Sequence, residues 1–266
     1  MASKNASTVN YWPDSRCAKT FWGQQDLPAY QELLFDTIDW LDPKPGERWV
    51  DLGCGGGRLV QAIWEKSSGK VAEIVGLDCA AANERAFQKL RARLHPSASP
   101  RHIRFVTCDF SNGLASWEGG QFDGAVSGMA IQYAESYSEE KRAWTTDAYD
   151  RVLAETYRLL RPGGRFIFSV NVPNPKWSRV ALASVFGVLR ADRRIRYIKR
   201  AWQMWLYGRW LKREARRGRF HYLPIGTIVD KLHALGFTAV EHRLSYARQA
   251  FLVRCQKEAL ALRMAV

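Results

Sequence analysis

No stretch of about 18 uninterrupted apolar residues occurs in this 266-residue chain, so no segment reads as a membrane-spanning helix. Paired cysteines are missing as well. Cys17, Cys54, Cys79, Cys108 and Cys255 are scattered, odd in number and never spaced as C-x-x-C. That argues against a disulfide framework or a cysteine zinc site and predicts a reducing, cytoplasmic setting. No set of histidine, cysteine and carboxylate has metal-ligand spacing, so no metal is expected. Residues 1–15 are polar and lack an apolar core, which predicts no secretory signal. Repeats and low-complexity tracts are absent too. With 47% hydrophobic and 25% charged residues, the composition excludes wholesale disorder.

Acid is in short supply: 26 Asp and Glu stand against 40 Lys and Arg, a net charge of +14. From Arg190 to Arg219 there are twelve basic residues and two acids (Asp192, Glu214), so 12 − 2 = +10 falls in 30 residues. A surface of this kind suits an anionic partner, a lipid headgroup layer or a nucleic acid; a solvated helical face is the plainer reading.

Apolar spacing predicts a helix over 24–41, ended by Pro43, Pro45 and Gly46. A short strand from Arg48 follows, then a glycine cluster, then a helix over Leu59–Lys66. Strands are expected at Ala72–Leu77, Ile103–Thr107, Phe122–Ser127 and Arg165–Val170, with helices at Ala80–Leu94 and Thr146–Leu160. Strands alternating with helices imply a parallel sheet covered on both faces. From Asn171 to Tyr222 no strand signal is present. A helix at Thr227–Leu235 and strands at Thr238–Leu244 and Ala250–Arg254 complete the chain.

Asp51-Leu-Gly53-Cys54-Gly55-Gly-Gly57 lies between the first strand and its helix, where glycines let a ligand approach the backbone. Asp78 ends the second strand, 21 residues after Gly57, where a carboxylate can accept from ribose hydroxyls. A dinucleotide fingerprint would need a third glycine at position 58, which is Arg58. Asp51 would meet a pyrophosphate with like charge but would welcome a cationic ligand such as S-adenosylmethionine.

Val50-Asp-Leu-Gly-Cys-Gly-Gly-Gly resembles motif I of class I S-adenosylmethionine-dependent methyltransferases. Val75-Gly-Leu-Asp78, Cys108-Asp109-Phe110, Phe122-Asp-Gly-Ala-Val-Ser127 and Leu160-Arg-Pro-Gly-Gly-Arg-Phe166 resemble the family's later motifs, in order. The resemblance runs over about Asp42 to Val170 and more loosely over Thr227 to Arg254. It implies an α/β fold: a Rossmann-like, seven-stranded, mostly parallel sheet with helices on both faces and a helical insertion after strand five. Residues 1–41 would be a helical lead-in or lid, and 42–266 the methyltransferase domain carrying the insertion at 171–222.

The cofactor implied is S-adenosyl-L-methionine. Gly53, Cys54, Gly55 and Gly57 would pass under its methionine part, Asp51 would orient the ammonium and Asp78 the ribose. Cys79 would flank the adenine, Asp109 would accept from its amino group and Phe110 would pack beside the ring. Ser127 would lie near the methionine end. Asp78 and Asp109 could instead be turn or helix-cap residues, and Cys79 and Phe110 packing residues. Trp22, in Phe21-Trp22-Gly23, would fold over cofactor or substrate, as similar segments do.

Methyl transfer from a sulfonium needs alignment and a dry site more than a general base, so the acceptor is hard to read. No Asn/Asp-Pro-Pro-Tyr motif or nucleophilic cysteine follows strand four, and no paired-glutamate loop is present. What remains is a small-molecule acceptor, lipid or quinone-like. Tyr133 and His221 are the candidate catalytic residues, each alternatively a packed or hydrogen-bonded structural residue.

In the insertion, Arg193–Tyr207 places Ile195, Ile198, Trp202, Trp205 and Leu206 on one helical face, and Trp210 and Leu211 continue after Gly208. A basic helix with tryptophans fits a substrate cap or an anchor on an anionic membrane, which would put the enzyme at a membrane's inner face. RNA modification, with the insertion gripping RNA, is the alternative; nucleic acid is the less favoured partner.

Overall fold

A computed structural model of the chain describes residues 11–13, 27–94, 99, 101–190 and 194–259; of 184–190, 194–201 and 203–205 it describes the backbone alone. Helix α1 (Pro28–Trp40) has proline at its first turn, where no amide partner is lost. Strands and helices then alternate: β1 (Arg48–Leu52), α2 (Arg58–Lys66), β2 (Glu73–Asp78), α3 (Ala81–Arg93) and β3 (Ile103–Thr107), followed by β4 (Phe122–Gly128). A two-residue-stranded hairpin, β5 (Tyr137–Ser138) and β6 (Ala143–Trp144), leads into α4 (Asp147–Leu159) and the long β7 (Leu160–Asn171). Helices α5 (Trp177–Arg190) and α6 (Arg194–Arg216) form the insertion, and α7 (Ile225–Ala234), β8 (Phe237–Ser245) and β9 (Ala250–Lys257) close the fold.

The sheet order is β3-β2-β1-β4-β7-β9-β8, parallel except for β9, which runs against β7 and β8. This is the seven-stranded, mostly parallel arrangement expected. Strands β1, β2 and β4 are nearly continuous in buried residues because helices cover both faces. Two apolar cores result. One, around Leu77, Phe122, Tyr149, Phe166 and Phe168, lies under α4 and α7; the other, around Trp49, Ile63, Trp64 and Phe87, lies under α2 and α3. The order reverses between β1 and β4, which opens a crevice at the strands' C-terminal ends, the place where this topology binds ligands.

Several elements differ from the sequence reading. The insertion helix extends past the Arg193–Tyr207 stretch: α6 runs through Gly208 to Arg216. A side chain at Gly208 would come within 3.0 Å of the Trp177 indole, so α5 and α6 pack closely at this glycine. Strand β7 begins at Leu160, five residues early, because Leu160 already pairs with Phe122; the chain then bulges through Pro162-Gly-Gly, with Gly163 at φ +78°, before pairing with β4 resumes at Arg165. The β5–β6 hairpin is too short for periodicity to reveal. Strand β8, at the sheet edge, breaks register with β9 between Thr238 and Glu241, where Ala239 takes φ +48°. Arg243 on β8 reaches α1, pairing with Asp36 and Asp39 and lying over Trp40. Among the described residues no helix is long and apolar enough to cross a membrane.

Candidate active site

Leaving β1, the chain turns at Gly53 (φ +78°), where a side chain would collide with Cβ of Ala130. The amides of Gly53 and Cys54 both donate to the Leu77 carbonyl at the end of β2, at 2.8 and 2.9 Å. Gly55 donates to Oδ2 of Asp78 at 2.8 Å, and Gly57 (φ +86°) is the residue before α2. The loop is therefore a main-chain cradle laced to the end of β2. Cys54 lies beneath it, buried against Gly76, and burial pushes its thiol pKa up.

Asp51 is 1% exposed, and its Oδ1 has no hydrogen-bond partner. Burial, helped by the nearby Asp78 charge, holds its carboxyl well above the usual carboxylate range. An enclosed acid with an unsatisfied oxygen is what an ammonium group would complete, so the residues fit a cationic amino-acid moiety. Tyr30 of α1 belongs to the same corner: enclosure of its hydroxyl end and the Asp51 charge push it up to about 12, with Arg58 pulling the other way. The helical face of α1 marks Tyr30 only as a packing position, so its place beside Asp51 could not be read from spacing.

Asp78 is buried, accepts from Gly55 and, through Oδ1, from the Ala80 amide at 2.8 Å, and burial raises its pKa. Asn83 also bonds to this carboxylate, so with the Gly55 and Ala80 amides three of its roughly four lone-pair positions are used and one is left for a ribose hydroxyl. Cys79 and Cys108 are half-buried, each with its thiol pushed up by desolvation. Asp109 starts a single helical turn over Phe110–Asn112 by accepting from the Ser111 amide at 3.0 Å. Phe110 is buried and faces Gly53. Ser127 is buried and donates to the Leu52 carbonyl at 2.7 Å, which ties β4 to β1 at the crevice. Trp22 lies outside the described residues. Among the described residues of the N-terminal region, Tyr11 and Trp12 reach the aromatic cluster at the site.

The β4 end of the crevice is built from side chains. Met129 adopts φ +57°, with its amide held by the Ser169 carbonyl and hydroxyl. Tyr133 follows, its ring 4.5 Å from Trp12 and 5.0 Å from Phe220. Its hydroxyl stands 3.3 Å from that of Tyr222; burial pushes the Tyr133 phenol up to about 12 and holds the Tyr222 phenol well above the ordinary tyrosine value. His221 is buried with Nε2 2.9 Å from the Ala134 carbonyl; an acceptor there makes Nε2 the donor. Desolvation lowers its pKa, so it is a neutral brace for the Gln132–Ala134 segment, whose Gln132 carbonyl also accepts from the His221 amide. Tyr133 thus faces the aromatic cluster, whereas His221 lies behind it. Trp210 turns into that cluster, 4.5 Å from Tyr11 and 5.6 Å from Phe220, and not to the outside. Trp202 is exposed; the side chain of Trp205 lies outside the described residues. Arg219 binds the cluster's edge: it pairs with Glu135 at 2.9 Å and with Glu214, and covers Trp144 at 5.0 Å. Among the described residues no group of three or more histidines, cysteines and carboxylates could hold a metal ion.

Residues 50–168 match the family model described as "Methyltransferase domain". A stretch of 132 residues, 49% of the chain, is 33% identical to 24-methylenesterol C-methyltransferase 2 of Arabidopsis thaliana and covers 30% of that protein. Over 180 residues the chain is 24% identical to the ubiquinone biosynthesis O-methyltransferase of Thiobacillus denitrificans, covering 66% of this chain and 68% of the relative. The chain therefore spans under a third of the first relative and about two thirds of the second. Solved structures share the fold. A SAM-dependent methyltransferase from Aquifex aeolicus superposes with a TM-score of 0.56 at 10% identity, covering 91% of this chain and 98% of that one. One from Mesorhizobium loti gives 0.52 at 20%, covering 84% and 96%. The glycine cradle and the acids at the ends of β1 and β2 thus lie in a stretch, residues 50–168, that matches a methyltransferase domain, on a fold shared with solved S-adenosylmethionine-dependent methyltransferases.

Proposed function

We propose that the protein is an S-adenosylmethionine-dependent methyltransferase acting on a small, lipophilic acceptor. The observation that carries the cofactor is the enclosed, unsatisfied Asp51 beside the Gly53–Gly57 cradle. Asp51 would hold the ammonium, Asp78 the ribose, and Asp109 with Phe110 the adenine. When bound, S-adenosylmethionine supplies a methyl group already activated on a sulfonium. The protein's task is then to align the acceptor and keep water out. The cluster of Trp12, Tyr133, Phe220 and Tyr222 suits that task, because Tyr133, Tyr222 and His221 are all neutral at neutral pH. The likeness to a sterol C-methyltransferase and a ubiquinone biosynthesis O-methyltransferase supports a lipophilic acceptor. The test is incubation with methyl-labelled S-adenosylmethionine and either a neutral lipid and quinol extract or RNA. Label in the organic phase is expected; label in RNA alone would overturn the acceptor class.

We further propose that the insertion meets an anionic membrane surface from its inner face. Leu182, Trp202 and Leu206 are 65, 59 and 48% exposed on α5 and α6. Lys176, Arg179, Arg209, Arg213, Arg216 and Arg217 are exposed on the same two helices or their ends. Each basic residue near such a surface contributes about 1 kcal/mol. Vesicles containing a phosphatidylserine fraction should sediment the protein at low salt, neutral vesicles should not, and Trp202→Ala with Leu206→Ala should weaken the residual binding at high salt. Indifference to anionic vesicles at low salt would refute the docking.

A further inference from the structure

The parallel ladder of β2 and β3 ends its register with Asp78 opposite Thr107. It carries one rung further, because the Cys108 amide donates to the Asp78 carbonyl at 2.9 Å. That rung sets Cys79 opposite Cys108. The residues before them fix the face. Leu77 and Val106 are register partners in or against the core under α4 and α7, whereas Ile74, Ile103 and Phe105 belong to the core under α2 and α3. Side chains alternate along a strand, so Cys79 follows Leu77, and Cys108 follows Val106, onto one face. Cys108 indeed packs against the first of these cores. Neighbouring strands lie about 4.8 Å apart, and a disulfide needs Cα atoms about 4.4–6.8 Å apart. The two sulfurs also feel each other: the Cys108 charge is among the influences that raise the Cys79 thiol.

Both thiols are free and half-buried, within reach of a small reagent, while Cys54 and Cys255 are buried. We infer that Cys79 and Cys108 form a modification site, coupled by a hydroperoxide into a disulfide that blocks the adenine end of the crevice. The blocking rests on the S-adenosylmethionine reading, in which Asp78 and Asp109 flank the adenosine; the thiol pair itself does not. Desolvation, with the Asp109 charge, raises both thiols, Cys79 further than Cys108, so the Cys108 thiolate forms first. Its sulfur attacks one peroxide oxygen, the O–O bond breaks, and the hydroxide released takes up the thiol proton as water. The Cys79 sulfur then attacks the sulfenic sulfur. The S–S bond forms, the S–O bond breaks, and a second water leaves with the Cys79 proton. Two thiols give up two electrons, and the peroxide takes both. Closing the bond draws the strand ends together and pulls on the turn in which Asp78 Oδ1 holds the Ala80 amide at 2.8 Å. The strain makes the disulfide easily reduced, so the modification is reversible.

The experiment treats the full chain with hydrogen peroxide at pH 7.0 and 8.5, alkylates the remaining thiols, and maps the digest by mass spectrometry. The expected product is a pair of peptides linked through Cys79 and Cys108, formed faster at the higher pH, because both thiols are raised, and undone by dithiothreitol. S-adenosylhomocysteine affinity, read by calorimetry, should fall by about tenfold or more on oxidation, the equivalent of one buried hydrogen bond, and return on reduction. Saturating S-adenosylhomocysteine should slow the coupling. Cys108→Ser should give no linked pair and should keep its own affinity through the same treatment. If that variant fails to fold, the map of the unaltered protein decides by itself. Absence of the Cys79–Cys108 link, linkage of either cysteine to another in its place, or a linked protein of unchanged affinity would each overturn the proposal. A reduced protein that forms the link yet never binds S-adenosylhomocysteine would instead strike the cofactor reading and leave the thiol pair standing.

Discussion

At the β1–β2 end of the crevice the contacts are main-chain: the amides of Gly53, Cys54 and Gly55 run to the Leu77 carbonyl and the Asp78 carboxylate. At the β4–β7 end they are made by side chains drawn from residue 12, residues 129–135, Asn171 and residues 207–222. The first end is short in sequence and rigid by hydrogen bonding. The second is assembled from distant segments and closed by stacking rings. One cofactor can be served by a fixed main-chain cradle, whereas acceptors vary through side chains that change without disturbing the sheet.

The comparison breaks most visibly if the aromatic end is made to lose its charge lock. Arg219 and Glu135 have side chains 10 and 4% exposed. Arg219→Met leaves Glu135 enclosed without a cation, which should cost about 3 kcal/mol of stability or more. The sign with pH follows. Burial already raises the Glu135 pKa against the pull of Arg219, and removing the arginine raises it further. The folded state then holds a proton that the unfolded state has lost, so the deficit grows as pH rises above the ordinary carboxylate range and shrinks toward pH 5. Thermal melts across pH would show it; a pH-independent deficit would contradict the account. S-adenosylhomocysteine affinity in the folded variant should hardly change, because the cradle is independent of Arg219.

A somewhat smaller effect is expected at the other end. Gly53→Ala places a side chain at φ +78° and against Ala130, costing about 2–4 kcal/mol by left-handed strain and overpacking. Here S-adenosylhomocysteine affinity should fall with stability, while the aromatic end keeps its packing, read as an unchanged near-ultraviolet circular dichroism signal of its tyrosines and tryptophans in whatever protein remains folded. Loss of both together would mean that the two ends are not separate.

The smallest effect sharpens the cradle itself. In the free protein Asp51 is kept protonated to higher pH than an ordinary carboxyl. A bound ammonium favours the ionised form, so binding expels a proton and affinity rises with pH until Asp51 ionises unaided. About a threefold gain in S-adenosylhomocysteine affinity from pH 5.5 to 7.5 is expected by calorimetry. Asp51→Asn should bind more weakly and show no such slope.

The same contrast explains what could be read in advance. Each requirement of the cradle is written locally: glycines where φ is positive, an acid at a strand end, apolar runs of strand length. Strand alternation likewise disclosed the sheet, because parallel strands buried on both faces must be apolar throughout. Ser127 and Asp109 stand at the motif positions, yet their observed hydrogen bonds, to Leu52 and Ser111, depend on strand register and a local turn that no motif encodes. Asn171 carries no signal beyond being one more asparagine after a strand; only the packing around it sets it against the Tyr133 and Tyr222 phenols. The close approach of Gly208 to Trp177 is equally invisible in the sequence, because the two are 31 residues apart, and so is the contact of Trp12 with Tyr133.

The register break in β8 has a consequence for the company the protein keeps. A sheet edge is a template on which a further strand could add, and β8 is one of the two edges here. Between Thr238 and Glu241 the ladder loses step, leaving Glu241–Ser245 as the regular part, and Arg243 within that part is drawn toward α1. An incoming strand would find about five aligned residues and a charged fringe, too little for stable pairing. Self-association by strand addition, the route to domain swaps and fibrils, is thereby discouraged on the side of the sheet farthest from the glycine cradle.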